Sequence, residues 1–292
     1  MPRPADTGAD DDLSAPPITG DRVLELDDER FTTDNVAVVT GAASGIGRAT
    51  AIALAVNGLT VVGLDVDADG LDATVDRVES LDAAGRVVAA PADLTDDAET
   101  EAAVEVAAGA GEIRYLANIA GMQHIASIPE FPMDVYDRMT DVMVRAAFLL
   151  SKLVIPHVRA TDDGVGAIGN MSSVHGRYAT RDKPAYITAK HGLNGLTRSI
   201  AAEGDGTLRG FSISAGYVLT PLMANQIADT AAERGITEDE VIEDVMLGQA
   251  RTKELMMPVE VANFFVFGFS SHARHLNGGD LLFDGGYTKT YE

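Results

Sequence analysis

The sequence contains no cysteine, which excludes disulfides, iron–sulfur clusters and thiolate zinc sites. It has no apolar run long enough to cross a bilayer, and its first residues lack the apolar core of a secretory leader. A cytoplasmic location is therefore expected. Positive charge is scarce: 22 basic residues, only 5 of them lysines, face 45 acidic ones, for a net charge of −23. That excess repels nucleic-acid phosphates and anionic lipid, so neither nucleic acid nor membrane is an expected partner. Acids spread along the whole chain, with few lysines, suit a halophilic protein, because at molar ionic strength a Debye length near ~3 Å removes much of the self-repulsion.

Residues 1–30 are rich in Asp, Pro, Gly and Ala with little periodicity, and read as a disordered acidic tail. Residues 31–292 read as a single domain, whose 46% hydrophobic content is enough to fill a core. Apolar runs at 36–39, 60–64, 87–90, 113–117, 166–171, 211–214 and 280–283 alternate with helix-like stretches at 45–57, 71–81, 98–108, 133–159, 185–202 and 259–269. This alternation predicts an α/β fold, a Rossmann-like doubly wound, seven-stranded parallel sheet with helices on both faces. The polar, helix-prone stretch at about 220–253, between the last two strands, suits a small helical substrate lid.

Three residue types gather in residues 170–192. Tyr186 and Lys190 are four apart and share one face of a helix, and Ser173 lies thirteen residues before Tyr186 at the end of a strand-like run. A phenol, an ammonium and a hydroxyl at one point can move a proton on and off an alcohol oxygen. A tyrosine acting as a base near neutrality needs its pKa moved by about three units, or ~4 kcal/mol. One ammonium at about 4 Å, at an effective dielectric of ~20, supplies roughly that. Ser173 would hold the substrate oxygen as it gains charge.

A second cluster follows the first strand. Thr40-Gly41-Ala42-Ala43-Ser44-Gly45-Ile46-Gly47 is a glycine-rich strand-to-helix turn that can approach a pyrophosphate at a helix N-terminus. Asp65 ends the second strand, where a carboxylate accepts from both ribose hydroxyls and repels a 2′-phosphate, favouring NAD over NADP. Asp93-Leu94, after the third strand, fits an adenine-edge contact. Asn118-Ile119-Ala120-Gly121, after the fourth, lets the backbone pass closely under a cofactor. The histidines at 124, 157, 191, 272 and 275 have no metal-ligand spacing, so no metal is expected.

In order and spacing these motifs, with Gly216 and Thr220, resemble the short-chain dehydrogenases/reductases over about residues 35–288. The resemblance implies an oxidoreductase with Ser173, Tyr186 and Lys190 as catalytic residues. It implies NAD held by Gly41, Ser44, Gly45, Ile46, Gly47, Asp65, Asp93, Leu94, Asn118, Ala120, Gly121, Tyr186, Lys190, Gly216, Val218 and Thr220. Further segments, Gly121-Met-Gln-His, Ser173-Val-His-Gly, Lys183-Pro-Ala-Tyr and Gly216-Tyr-Val-Leu-Thr-Pro-Leu, are similar to the bacterial D-3-hydroxybutyrate dehydrogenases of that family. That likeness implies that Gln123, His175 and Lys183 hold a substrate carboxylate and Gln226 closes over it. It also implies that Tyr217 and Tyr287 line the methyl end, and that the protein is a homotetramer or homodimer.

Independently, several converging donors suit a small hydroxy acid anion. The reading implied is reversible, NAD-dependent oxidation of (R)-3-hydroxybutyrate to acetoacetate. A related enzyme acting on another small alcohol, sugar or ketoacyl substrate is the first alternative. A weakly active NAD-binding sensor or scaffold is the second, because Met143 stands where the family usually has an Asn that completes the catalytic set. Ile119 and Ala215 also depart from the family's Asn-Asn-Ala-Gly and Pro-Gly, which touches packing more than chemistry.

Overall fold

The computed structural model describes residues 15–290. Seven strands form one parallel sheet: β1 (Asn35–Thr40), β2 (Thr60–Asp65), β3 (Arg86–Pro91), β4 (Glu112–Asn118), β5 (Gly166–Met171), β6 (Leu208–Ala215) and β7 (Asp280–Phe283). Their order is β3-β2-β1-β4-β5-β6-β7, so the winding reverses between β1 and β4. In such sheets ligands bind at the carboxyl ends of the strands, beside that reversal.

The central strands are buried on both faces, as parallel strands must be. Along β1, Ala37 and Val39 face one core, while Val36 and Val38 face the other. The first core is closed by α1 (Gly45–Val56), α2 (Ala68–Ser80) and α9 (Pro258–Phe269), the second by α3 (Asp97–Ala110), α5 (Ala146–Ala160) and α6 (Pro184–Glu203). Asp67 and Asp96 start α2 and α3 by accepting hydrogen bonds from first-turn amides. Pairing of β1 with β4 skips Arg114, whose guanidinium turns to Asn35, Glu112 and Asp163.

Two expectations need correcting. The tail of residues 1–30 is not solvated throughout. Residues 1–14 lie outside the described residues, but from there the chain is laid along α1 and α9. Val23 is buried, Leu24 N donates to Asn263, Leu26 N to Asn57, and Asp28 accepts from Ser271 N at 2.6 Å. Few apolar residues mark this stretch because backbone hydrogen bonds, which sequence periodicity does not register, hold most of it.

The helical run at 133–159 is also not one helix. α4 (Met133–Thr140) and α5 are joined by a π-helical turn over Asp141–Arg145. Met139 and Met143 pack on Ala185 and Ala189 of α6, whereas Ala146, Leu150 and Val154 pack on the sheet. After β6 the chain forms α7 (Pro221–Arg234), the single turn α8 (Glu238–Glu240) and a π turn over Val241–Met246 with its own small core of Met223, Ile227, Val241 and Met246. Among the described residues no helix is long and apolar enough to cross a membrane, and no acidic or histidine cluster could hold a metal.

Candidate active site

A cleft of about 440 Å³ opens at the carboxyl ends of the strands. Its floor is the turn from β1 to α1. Gly41 and Gly45 have φ of +70° and +51°, and a Cβ on Gly47 would meet Gly41 O at 2.0 Å. Side chains are thus excluded and bare backbone faces the cleft, as a bound pyrophosphate requires. Asp65 Oδ2 accepts from Ala43 N at 3.1 Å and Oδ1 from Asp67 N, which fixes the carboxylate on the wall. Ala92, Asp93 and Leu94 continue that wall. Thr40 Oγ1 accepts from Ile119 N and Ala120 N at 2.8 and 2.9 Å, pinning the 118–121 backbone beneath the opening. Thr220 caps α7 and packs its methyl near Gly45.

The chemical end of the cleft is built by the β5–α6 connection. Ser173, His175, Lys183, Tyr186 and Lys190 all line it, with Gln123, Tyr217 and Gln226 opposite. Helix α6 is long enough to place Tyr186 and Lys190 on one face, and Lys190 Nζ lies 5.2 Å from the Tyr186 ring centroid. That ammonium donates to Met171 O at 2.7 Å. Burial pushes Tyr186 up to about 12, against a lowering hydrogen bond with Ser173, and pushes Lys190 down to about 8. Lys190 therefore does not by itself bring the phenol near neutrality. A cationic ring bound beside it would have to supply the rest.

His175 is buried to 3% exposure, and burial, then Lys183, hold its imidazole neutral with a pKa of about 3. Lys183 is 6% exposed and has no carboxylate or carbonyl partner among the described residues. Its Nζ sits 5.4 Å from the Tyr217 ring centroid, and burial, then Arg234, lower its pKa to about 7. Gln123 is half-buried, and its two shielded side-chain amide atoms have no partner among the described residues.

Two residues expected at the site stand behind it. Asn118 donates to Asn170 and does not line the cleft. Tyr287 packs 6.0 Å from Tyr217 and likewise does not line it. Sequence reasoning missed Tyr178, which stacks on His175 at 5.3 Å and meets Tyr287 at 5.7 Å, closing a four-ring box with Tyr217. Arg177 pairs with Asp280, which also accepts from Ser212 and Ser214, so the turn carrying His175 is tied to the sheet edge. Long-range pairs of this kind leave no mark in local spacing.

The family model described as short chain dehydrogenase matches residues 35–231. The chain belongs to the short-chain dehydrogenase family. Members are oxidoreductases that use nicotinamide cofactors, and the bare glycine turn beside Asp65 fits such a group. In fold the chain is similar to levodione reductase, at a TM-score of 0.82 and 30% identity, covering 89% of this chain and 100% of that one. D-beta-hydroxybutyrate dehydrogenase of Rhizobium meliloti is 38% identical over 255 residues, 86% of this chain and 98% of that protein. Cyclohexanol dehydrogenase of an Acinetobacter species is 32% identical over 258 residues, 87% of this chain and 95% of that protein.

Proposed function

We propose that this short-chain dehydrogenase interconverts (R)-3-hydroxybutyrate and acetoacetate with NAD. The observation that carries the reading is Lys183, a buried ammonium with no anionic partner among the described residues, in the same cleft as the unpartnered amide of Gln123. Burying such groups unpaired costs several kcal/mol, which a ligand carboxylate would recover. Gln226, on α7, lines the same end and suits closure over that carboxylate, with α7 and the following turns as lid.

Asp65 favours NAD, because a 2′-phosphate would lie against its carboxylate. A nicotinamide held on the Lys190 side of the cleft would accept the hydride from C3. Tyr186 takes the hydroxyl proton, Ser173 donates to the substrate oxygen, and Lys190 holds the cofactor ribose and favours the phenolate. The similarity to D-beta-hydroxybutyrate dehydrogenase supports the same substrate.

The experiment is NADH formation in molar KCl with (R)-3-hydroxybutyrate, its S enantiomer and cyclohexanol. Turnover of the R acid above the other two is expected. Preference for cyclohexanol would overturn the carboxylate reading.

A further inference from the structure

The donors at the carboxylate end of the cleft hang from three separate segments. Gln123 lies on the loop after β4, Lys183 at the start of α6, and Gln226 on α7. All three segments meet at Asp182. Ala126 N, three residues beyond Gln123, donates to Asp182 O at 3.1 Å. Lys183 follows Asp182 directly and stands at the N-cap of α6, its carbonyl accepting from Ile187 N. Arg234 is in the last turn of α7, about 12 Å along the helix from Gln226. Its guanidinium lies 3.9 Å from the Asp182 carboxylate. Among the described residues no other ion pair reaches α7, whose apolar side packs into its own small core.

The residue at this junction is one that the backbone alone does not demand. Asp182 has φ of +69°, in the left-handed region, where Asn serves as well as Asp. A carboxylate one residue from an anion-binding lysine opposes the anion by simple repulsion. What the charge adds is the link to Arg234, which in turn offsets it. The pair is partly shielded, with side chains 19% and 35% exposed. Arg234 is also close enough for its charge to act on Lys183, which puts the end of α7 beside the anion site.

We propose that Asp182 is the positioning residue of the carboxylate site: its backbone holds the Gln123 loop and its side chain holds α7 through Arg234, so that donors from three segments are fixed around one anion. Asp182 does not itself line the cleft, and acts through Gln123, Lys183 and Gln226. The role rests on the substrate being a carboxylate, as proposed for the hydroxy acid.

The test is Asp182→Asn, which keeps the left-handed backbone and removes the charge, beside Arg234→Gln and the double variant. KM and kcat for (R)-3-hydroxybutyrate are measured at the lowest KCl that leaves the wild-type melting temperature unchanged. Hydrogen exchange of the α7 amides is followed in the ligand-free proteins. Each single variant should raise KM about 2- to 5-fold at unchanged kcat, speed exchange in α7 by a similar factor, and leave KM for cyclohexanol as it was. The double variant should be no worse than either single one, and Arg234→Lys should restore the wild-type KM. All differences should shrink in molar KCl, where the Debye length of ~3 Å is shorter than the pair. A lower KM in Asp182→Asn would overturn the positioning role, because the carboxylate would then act only as a repelling charge. So would additive effects in the double variant, an unchanged KM, or unchanged exchange. If the wild type does not turn over (R)-3-hydroxybutyrate, the substrate reading fails on its own and exchange alone decides the link. Faster exchange in both single variants then upholds it, and unchanged exchange overturns it.

Discussion

Lys183 makes anion binding depend on pH in a way that can be worked out in advance. Burial first, and Arg234 second, bring its pKa from the usual 10.5 to about 7. Tyr217 and His175, which face it, are neutral near pH 7 and offer no counter-charge. Only the ammonium form binds a carboxylate well, so the apparent dissociation constant is the intrinsic one divided by the fraction of protein that carries it. Relative to pH 6, acetoacetate should bind about 10-fold more weakly at pH 8 and about 100-fold more weakly at pH 9. Binding above neutrality should also draw in close to one proton per site.

The assay is calorimetric titration of acetoacetate into protein saturated with oxidised NAD, a pair that cannot react. It is run at each pH in two buffers of different ionisation heat. Identical heats in both buffers at pH 8, with affinity flat from pH 6 to 9, would refute the reasoning. Failure to bind at any pH would instead remove the carboxylate site.

Other outcomes follow from the same geometry. Lys183→Met should abolish that proton uptake and raise KM for the hydroxy acid steeply. It should also raise the ligand-free melting temperature, since a buried charge with no partner is gone. The gain should be largest below pH 7 and fade between about 7 and 10.5, where the unfolded chain binds the extra proton. Tyr186→Phe should lower kcat by about 10²–10⁴-fold while leaving NAD binding, read by fluorescence, intact. Asp65→Ala should improve the KM for NADP relative to NAD by at least about 10-fold, from removal of a repulsion worth ~1.4 kcal/mol or more. Asp28→Asn should cost about 1–2 kcal/mol in a denaturant melt near neutrality. Burial pushes that carboxyl up, but hydrogen bonds from Ser271 and Arg30 outweigh it and the net pKa is lowered. Its contribution is therefore present above the usual carboxylate range and lost as pH falls through the depressed value, so the variant's deficit should vanish in acid.

Most of the scaffold was legible because the relevant signals are local. Every strand was readable from its apolar run, and β5 and β7 agree to the residue, since both faces of a parallel strand must be apolar. The glycine turn, Asp65 and the Ser173–Tyr186–Lys190 set were readable because their chemistry dictates residue type and spacing. What was not legible depends on the third dimension. Tyr178 matters only because the turn after β5 folds it onto His175. The 15–30 segment is ordered by partners such as Asn263 and Ser271, more than 200 residues away in the chain. The effect of Lys190 on Tyr186 was overestimated because spacing gives proximity, whereas Met171 O decides where the ammonium points.

The π turn at Asp141–Arg145 sets a phase. A helix advances about 100° per residue, so one extra residue in a turn rotates everything beyond it by that much. The rotation lets one continuous run serve two clients, α6 before the turn and the sheet after it. Deleting Val142 would return the run to a uniform winding and leave one of the two faces aimed wrongly. No substitution elsewhere along the run corrects an angle. Met139 and Met143, before and within the turn, and the small and branched residues after it are therefore committed as blocks, and the segment should tolerate exchange of side chains far better than a change of length.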